Sequence, residues 1–410
     1  MKRVSVIGVG YIGLPTAGIL ASNGFDVLAV DTDTGVIDKL QTRNFNFVEP
    51  GLNDILVSAL KSGKLTASIN PSKSDVFIIA VPTPFKEDHQ SDLRFVFSAV
   101  DSIIPFLEPG NLVIVESTVP IGTTEDISRI IAAKRPDLST GDLGHSVFLA
   151  HCPERVLPGQ ILKELVENSR IVGGIDSAST ARALDFYKAF INGELNGTNS
   201  KTAELSKLAE NTYRDVNIAL ANEFSLVCQD NSIDVWEMIR LANQHPRVNI
   251  LNPGPGVGGH CIAVDPWFII GNSPEKTNLM RAARTINDSM PSRVINEIRV
   301  LADEFESPVI ACLGLTYKAN VSDYRESPSL EIINNLAARS NYRILVVDPN
   351  VEEFDELFHA EVNIQVCTLE NALSKADIIV VLVGHSQFMK IDRSKIRGKI
   401  VVDKVGIWRK

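Results

Sequence analysis

The sequence predicts an α/β protein with two doubly wound parallel-sheet domains joined by a helical section that contains a long helix. Three observations carry this expectation. Short, nearly continuous apolar runs alternate with helix-length segments at both ends of the chain, the pattern of parallel strands buried on both faces. A middle stretch has apolar residues at helical spacing instead. The 410 residues also exceed what one hydrophobic core organises, so two or three domains are expected.

Taken in order, VSVIGVG (4–10) is a β-branched run ending in glycines, and a helical stretch leads from it to FDVLAVD (25–31). SDVFIIAVPTP (74–84), GNLVIVEST (110–118) and HSVFLAHCPE (145–154) supply further strands, each followed by a segment long enough for a helix. The rhythm changes at Thr202: ELSKLAENTYRDVNIALANEFSLVCQDNSI has no strong breaker, and a long helix is expected between Thr202 and Asn243. A second helical stretch, 275–305, follows a glycine-rich loop. After Ser307 come PVIACLGL, a helical SPSLEIINNLAARS, YRILVVDP, ADIIVVLVG and GKIVVDKV. The expected domains are therefore 1–200, 201–300 and 301–410.

Composition narrows the function. A formal net charge of -10 argues against nucleic acid or an anionic membrane as partner. The five cysteines are scattered and include no CxxC pair, as expected for reduced thiols without a disulfide framework or zinc cluster; no metal site is expected. The opening MKRVSVIGVGYIGLPTAGILAS imitates a secretory signal, but its spaced glycines and the strand after it fit a folded unit better. A soluble, cytoplasmic protein is expected.

Gly8, Gly10 and Gly13 form G-x-G-x-x-G directly after the first strand, with Tyr11 and Ile12 in the turn, and Asp31 ends the second strand. This is the dinucleotide fingerprint of a Rossmann-like domain: tight turn, close approach of pyrophosphate to backbone, and an acid for the ribose. A carboxylate at Asp31 would repel a 2′-phosphate, so NAD is the expected cofactor. Ligands of such sheets bind beyond the carboxyl ends of the strands, which makes Pro82, Thr83 and Thr118 candidates to line the nicotinamide, although each alone reads as a loop former.

Three further stretches carry polar residues that an ordinary loop does not need. CPERVLPG places Glu154 and Arg155 at a strand end, expected at the same sheet edge as the cofactor. Lys207 and Asn211 are one helical turn apart and share a face; taken alone, Lys207 reads as solvating charge. Cys261, in PGPGVGGHCIAVDP, could be a buried hydrophobe or a metal ligand beside His260, but ligand count disfavours metal. The glycines favour a loop that donates N–H groups and admits a ligand, where a thiolate nucleophile fits. Beside an NAD site, a thiolate permits a second oxidation, through a thiohemiacetal and a thioester to a carboxylate.

These motifs, with ESTVPIGTT, AELSKLAENTYRDVNIALANE, HPRVNI and LGLTYKANVSDYRESPS, resemble the nucleotide-sugar 6-dehydrogenases typified by UDP-glucose and GDP-mannose dehydrogenases, over almost the whole chain. HPRVNI, PGPGVGGHCIAVDPWF and CPERVLPG resemble the branch acting on UDP-N-acetylhexosamines. The resemblance implies Cys261 as nucleophile, Asp265 as positioner of the hydrolytic water, Lys207 and Asn211 as oxyanion stabilisers, and Glu154 and Thr118 as base and water-holding hydroxyl. It implies NAD bound by the first domain, with Arg325 near the cofactor, and UDP bound by the last. Glu154, Arg155, Val156, Leu157, Lys207, Asn211, Arg214, His245, Gly254, Gly258 and Lys318 would face the UDP-sugar, Arg247 reaching that of a neighbouring subunit in a homodimer, or higher homo-oligomer, built on the long helix. Val264 stands where many UDP-glucose enzymes have Lys, and His260 where a small hydroxyl residue is common; both depart from glucose and agree with a 2-acetamido sugar.

Within that branch the resemblance favours UDP-N-acetyl-D-mannosamine, with the same oxidation of UDP-N-acetyl-D-glucosamine as the close rival. More distant rivals are a two-electron hydroxyacid dehydrogenase, which has no use for Cys261, and a non-catalytic NAD- or nucleotide-sugar-binding regulator.

Overall fold

The computed structural model describes residues 2–45, 47, 49–85, 91–140, 146–157, 159–351, 357–358 and 363–408, which include every candidate site residue. The chain divides into two compact units, Met1–Glu210 with Trp267–Ser273, and Asn211–Pro266 with Pro274–Lys410.

In the first unit the strands are β1 (Arg3–Ile7), β2 (Asp26–Val30), β3 (Leu65–Ser68), β4 (Val76–Ile79), β5 (Leu112–Val115), β6 (Ser139–Thr140), β7 (Ser146–His151), β8 (Arg170–Gly174) and β9 (Leu195–Asn199). Their order is β3-β2-β1-β4-β5-β7-β8-β9, with β6 paired to β7. The apolar runs feed two cores because strand side chains alternate in direction. On β4, Val76 and Ile78 join Leu14 and Leu56 on one face, while Phe77 and Ile79 join Val96 and Ile127 on the other.

The expected parallel pairing holds from β3 through β7, but β7 and β8 are antiparallel. Neither β8 nor β9 stood out in the sequence. RIVGG is short, and LNGTN is a polar strand at the sheet edge, as edge strands commonly are.

The second unit holds β10 (Val309–Leu313), β11 (Arg343–Val347), β12 (Ile364–Val366), β13 (Ile378–Val381) and β14 (Ile400–Asp403), in the all-parallel order β12-β11-β10-β13-β14. In each sheet the chain moves outward one way from the first strand and then back past it. The switch points lie between β1 and β4 and between β10 and β13, where such sheets bind ligands.

The long helix runs from Ser200 to Asp230, so the helix expected as far as Asn243 stops early. Ser232 takes a left-handed conformation (φ 54°), and the Asp234 carboxylate accepts from the Trp236 N–H at 2.9 Å to cap a separate helix, Val235–Ala242. Asp234 starts a new helix instead of prolonging the first, because an acid able to cap competes with helix continuation. The second long helix spans Asn278–Ala302. Among the described residues no helix is long and apolar enough to cross a membrane.

Candidate active site

The three glycines after β1 are there for three different reasons. Gly8 has φ 87°, and a Cβ on it would lie 2.8 Å from the Ala80 carbonyl oxygen. A Cβ on Gly13 would come within 1.9 Å of the Gly8 oxygen, so only glycine lets the helix Gly13–Ser22 close on the turn. A Cβ on Gly10 would meet no protein atom within 4 Å; its absence keeps space open above the turn. Ile12 gives that helix no side-chain cap and its first turn holds no acid, which suits an anionic ligand at the N-terminus. Asp31 accepts from the N–H of Val9 at 2.9 Å and of Asp33 at 3.0 Å. These bonds aim the carboxylate and leave lone pairs for a ribose hydroxyl. The Ser117 hydroxyl donates to the Val81 carbonyl at 2.7 Å, tying the loop that carries Pro82 and Thr83 to the one that carries Thr118. The exposed Tyr11 flanks the turn. These residues fit a dinucleotide, which supplies a hydride acceptor when bound.

Glu154 follows β7, the neighbour of β5, and so lies at the carboxyl edge as expected. Its Oε1 accepts from the Arg155 N–H at 2.6 Å, and its Oε2 stands 2.9 Å from Nη1 of Arg170. Arg155 itself is spent on the protein, donating to Glu210 at 2.8 Å and to the Ser169 carbonyl. Val156 packs on the first core, and Leu157 is exposed with its N–H donated to Glu164 at 2.7 Å. The loop is pinned from far upstream by the buried Glu49, which accepts from the N–H groups of Gly159 (2.8 Å) and Ile161 (2.7 Å). In the long helix, Lys207 is half-buried, and the buried Glu204 caps the helix Thr123–Lys134 through the N–H groups of Gly122 (2.6 Å) and Thr124 (2.8 Å). Glu49 and Glu204 escaped sequence reasoning because their partners are remote in the chain.

In the second unit, Nδ2 of Asn211 donates to Oδ2 of Asp265 at 2.6 Å, both side chains being buried. The Asp265 N–H is bonded to the Cys261 carbonyl at 2.8 Å, so one helical turn links the acid to the thiol-bearing residue. Cys261 is exposed, which removes the buried-hydrophobe reading. The glycines before it have a further reason. A Cβ on Gly258 would strike the Glu326 carbonyl at 2.2 Å, and one on Gly259 (φ 80°) the Tyr317 ring at 2.8 Å. They let the loop pack against the segment after β10. Gly254 is tied by its N–H to Asn222 at 2.9 Å, and Asn222 continues through Asn287 and Asp215 to Arg284, all four side chains buried. None of these four was anticipated, since isolated polar residues on a helix read as solvated.

Arg325 forms a two-pronged pair with Asp323 (2.9 and 2.8 Å). His260 is held below the ordinary histidine value by burial and then by the Arg325 charge, which places Arg325 beside the thiol loop. Lys318, Arg214, His245 and Arg247 are exposed. The structure thus brings Asn211, Asp265 and Cys261 together within one unit, and gathers the glycine turn, Asp31, Thr118 and Glu154 at one sheet edge of the other. Among the described residues no group of three or more His, Cys, Asp or Glu could hold a metal ion.

A dinucleotide turn in a chain that also presents an exposed thiol is the equipment of an NAD-dependent dehydrogenase. The sequence models of the UDP-glucose/GDP-mannose dehydrogenase family match in series, the NAD binding domain over residues 2–191, the central domain over 201–289 and the UDP binding domain over 311–410. The chain belongs to that family and is a nucleotide-sugar dehydrogenase. It is 47% identical to the UDP-N-acetyl-D-mannosamine dehydrogenase of Escherichia coli over 420 residues, covering 99% of each chain. It is 45% identical to the NDP-N-acetyl-D-galactosaminuronic acid dehydrogenase of Ralstonia nicotianae, covering 99% of this chain and 96% of that one. The solved UDP-N-acetyl-mannosamine dehydrogenase of S. aureus superposes with a TM-score of 0.89 at 42% identity, over 100% of this chain and 96% of that one.

Proposed function

We propose that the protein oxidises UDP-N-acetyl-D-mannosamine at C6 to the uronate, consuming two NAD and one water and releasing two NADH and three protons. The exposed Cys261, one turn from the buried Asn211–Asp265 pair, carries this reading; the sugar rests on the names of the Escherichia coli and S. aureus relatives and on Val264 and His260. Glu154 takes the proton of the C6 hydroxyl as the first hydride leaves. The Cys261 sulfur then adds to the aldehyde, and its oxyanion is met by Lys207 and Asn211. Loss of the second hydride gives a thioester. Water held by Asp265 and Thr118 attacks it, the C–S bond breaks and the thiol is restored. Lys318, Arg214, His245 and, from a second subunit, Arg247 would hold the nucleotide-sugar.

The assembly is read as a homodimer on the long helix. Tyr213, Leu220 and Val227 are exposed and recur at seven-residue spacing, an apolar stripe along one face of Ser200–Asp230. Light scattering at low micromolar concentration checks this, and a monomer would refute it.

With limiting UDP-N-acetyl-D-mannosamine, two NADH per sugar are expected, and one would sink the thioester path. UDP-N-acetyl-D-glucosamine and UDP-N-acetyl-D-galactosamine run beside it, and preference for either reassigns the sugar. Cys261→Ser should abolish uronate formation while binding NAD as the parent does.

A further inference from the structure

The first unit buries a cluster of ionisable groups at the carboxyl edge of its sheet. Glu116 follows β5, Cys152 follows β7, Arg170 opens β8, and Tyr187 ends the helix Ser177–Tyr187; all four are buried. The Tyr187 hydroxyl donates to Oε1 of Glu116 at 2.8 Å, while Oε2 of Glu116 is buried without a hydrogen-bond partner. Arg170 lies 5.6 Å from the centroid of the Tyr187 ring and donates to the Leu165 carbonyl at 3.2 Å. Its Nη1 is 2.9 Å from Oε2 of Glu154 but not aligned for a hydrogen bond, so the attraction is Coulombic.

The antiparallel step in the sheet makes this contact. β7 and β8 pair Ala150 with Gly174 and His151 with Gly173, and the same register continued past the strand end carries Glu154 to Arg170. A parallel β8 would have brought its glycine end here. A cation this deeply buried is tolerated only with a counter-charge, and two carboxylates compete for it.

We propose that Arg170 and Glu116 are positioning residues for Glu154: Arg170 fixes its carboxylate, and Glu116, drawing on the same guanidinium, sets how firmly that carboxylate is held. The inference rests on the reading of Glu154 as proton acceptor. With Glu116 protonated, Arg170 faces the Glu154 carboxylate alone and holds it firmly. With Glu116 ionised, two carboxylates share one cation and the hold on Glu154 loosens.

Burial pushes Glu116 up to about 7, against the pull of Arg170, so both states are populated near neutrality. The thiol, phenol and imidazole around it do not titrate there. Burial pushes Cys152 up to about 11 and Tyr187 well above its ordinary value, and drives His151, next to Cys152, down to about 3. Arg170 keeps its charge; burial opposes it, but Glu154, Cys152 and Glu116 outweigh burial.

The test is the pH profile of kcat/KM on the proposed substrate for the full chain and four variants. The parent should show an inflection in the neutral range. Glu116→Gln, nearly the same shape but unable to ionise, should lose that inflection or move it by more than about half a pH unit. Tyr187→Phe removes a hydrogen bond that favours the charged carboxylate and should move the inflection to higher pH. Arg170→Lys should lower kcat about tenfold or more with KM changed less than about twofold. Profiles of Glu116→Gln and Tyr187→Phe that superimpose on the parent's, beside an inactive Glu154→Gln, overturn this inference alone. Parental kcat in Glu154→Gln overturns the assignment of Glu154 and this inference with it. Tyr187→Phe carries the decision should Glu116→Gln fail to fold.

Discussion

The turns after β1 and β10 begin alike and end differently. Gly8 and Gly314 both take positive φ, 87° and 100°, at the end of the first strand of their sheets. In both, an aspartate from the end of the next strand accepts an N–H from the turn: Asp31 from Val9 at 2.9 Å, Asp348 from Leu315 at 2.6 Å. Beyond that point they diverge. The first turn stays open through Gly10 and runs into a helix with no side-chain cap. The second continues as Thr316, Tyr317 and Lys318, and Nε2 of His385 lies 3.2 Å from the Thr316 hydroxyl.

The His385 ring is fully buried. Its Nδ1 accepts from the Asn320 N–H at 3.0 Å, which leaves Nε2 to donate toward Oδ2 of Asp348 at 3.2 Å. One backbone device therefore serves two ends. Where its aspartate keeps lone pairs free it suits a dinucleotide ribose; where the aspartate is taken by His385 it becomes a brace for the loop carrying Lys318.

The comparison can be broken experimentally, most severely at Gly13. Gly13→Val puts a Cβ 1.9 Å from the Gly8 carbonyl; NAD binding by calorimetry should vanish, and normal binding would show that close helix approach is not required. Next, His385→Leu removes one donor from the buried Asp348 carboxylate, which keeps its backbone N–H partners. A loss of about 1.5–3 kcal/mol is expected in chemical unfolding, and an unchanged midpoint would mean that the brace is idle.

The buried acids of the two sheets should then pull in opposite directions with pH. Glu116 is raised, so its penalty grows as pH climbs from the ordinary carboxylate range to about 7. Over that window the parent should lose up to about 3 kcal/mol that Glu116→Gln does not lose. Asp348 is lowered: burial works against its charge, but His385 and the N–H groups of Leu315 and Asn350 prevail. Its contribution is present above the unfolded-state value and fades as pH falls. Parallel stability curves for parent and Glu116→Gln would remove the contrast. The smallest effect belongs to Gly10→Ala, which meets no protein atom: stability within about 0.5 kcal/mol of the parent, with NAD affinity reduced about tenfold because the added methyl occupies ligand space.

Much of this was legible in one dimension because it is written locally. The glycine turn, Asp31 and the strand runs are short-range patterns, as are Lys207 with Asn211 and Cys261 with Asp265 on their helical turns. The sequence reading stopped short where a local pattern had a distant cause. The glycines at 258 and 259 suggested a ligand nest, and the sequence did not show that Glu326 and Tyr317 also require them. Asp234 was passed over because capping and helix continuation look alike until the backbone is seen. The partners of Arg155, Glu210 and the Ser169 carbonyl, were likewise invisible in the sequence.

What the sequence determined by itself is the α/β architecture and its cofactor turn, since strand burial, turn chemistry and helix periodicity depend on residues close in the chain. What the tertiary structure alone decided is which buried polar and charged groups meet. Arg170 reaches Glu154 through the antiparallel β7–β8 step, and His385 reaches Asp348 from another strand end. Such pairings depend on strand order and direction, and the energy of a buried charge depends on what stands opposite it in space.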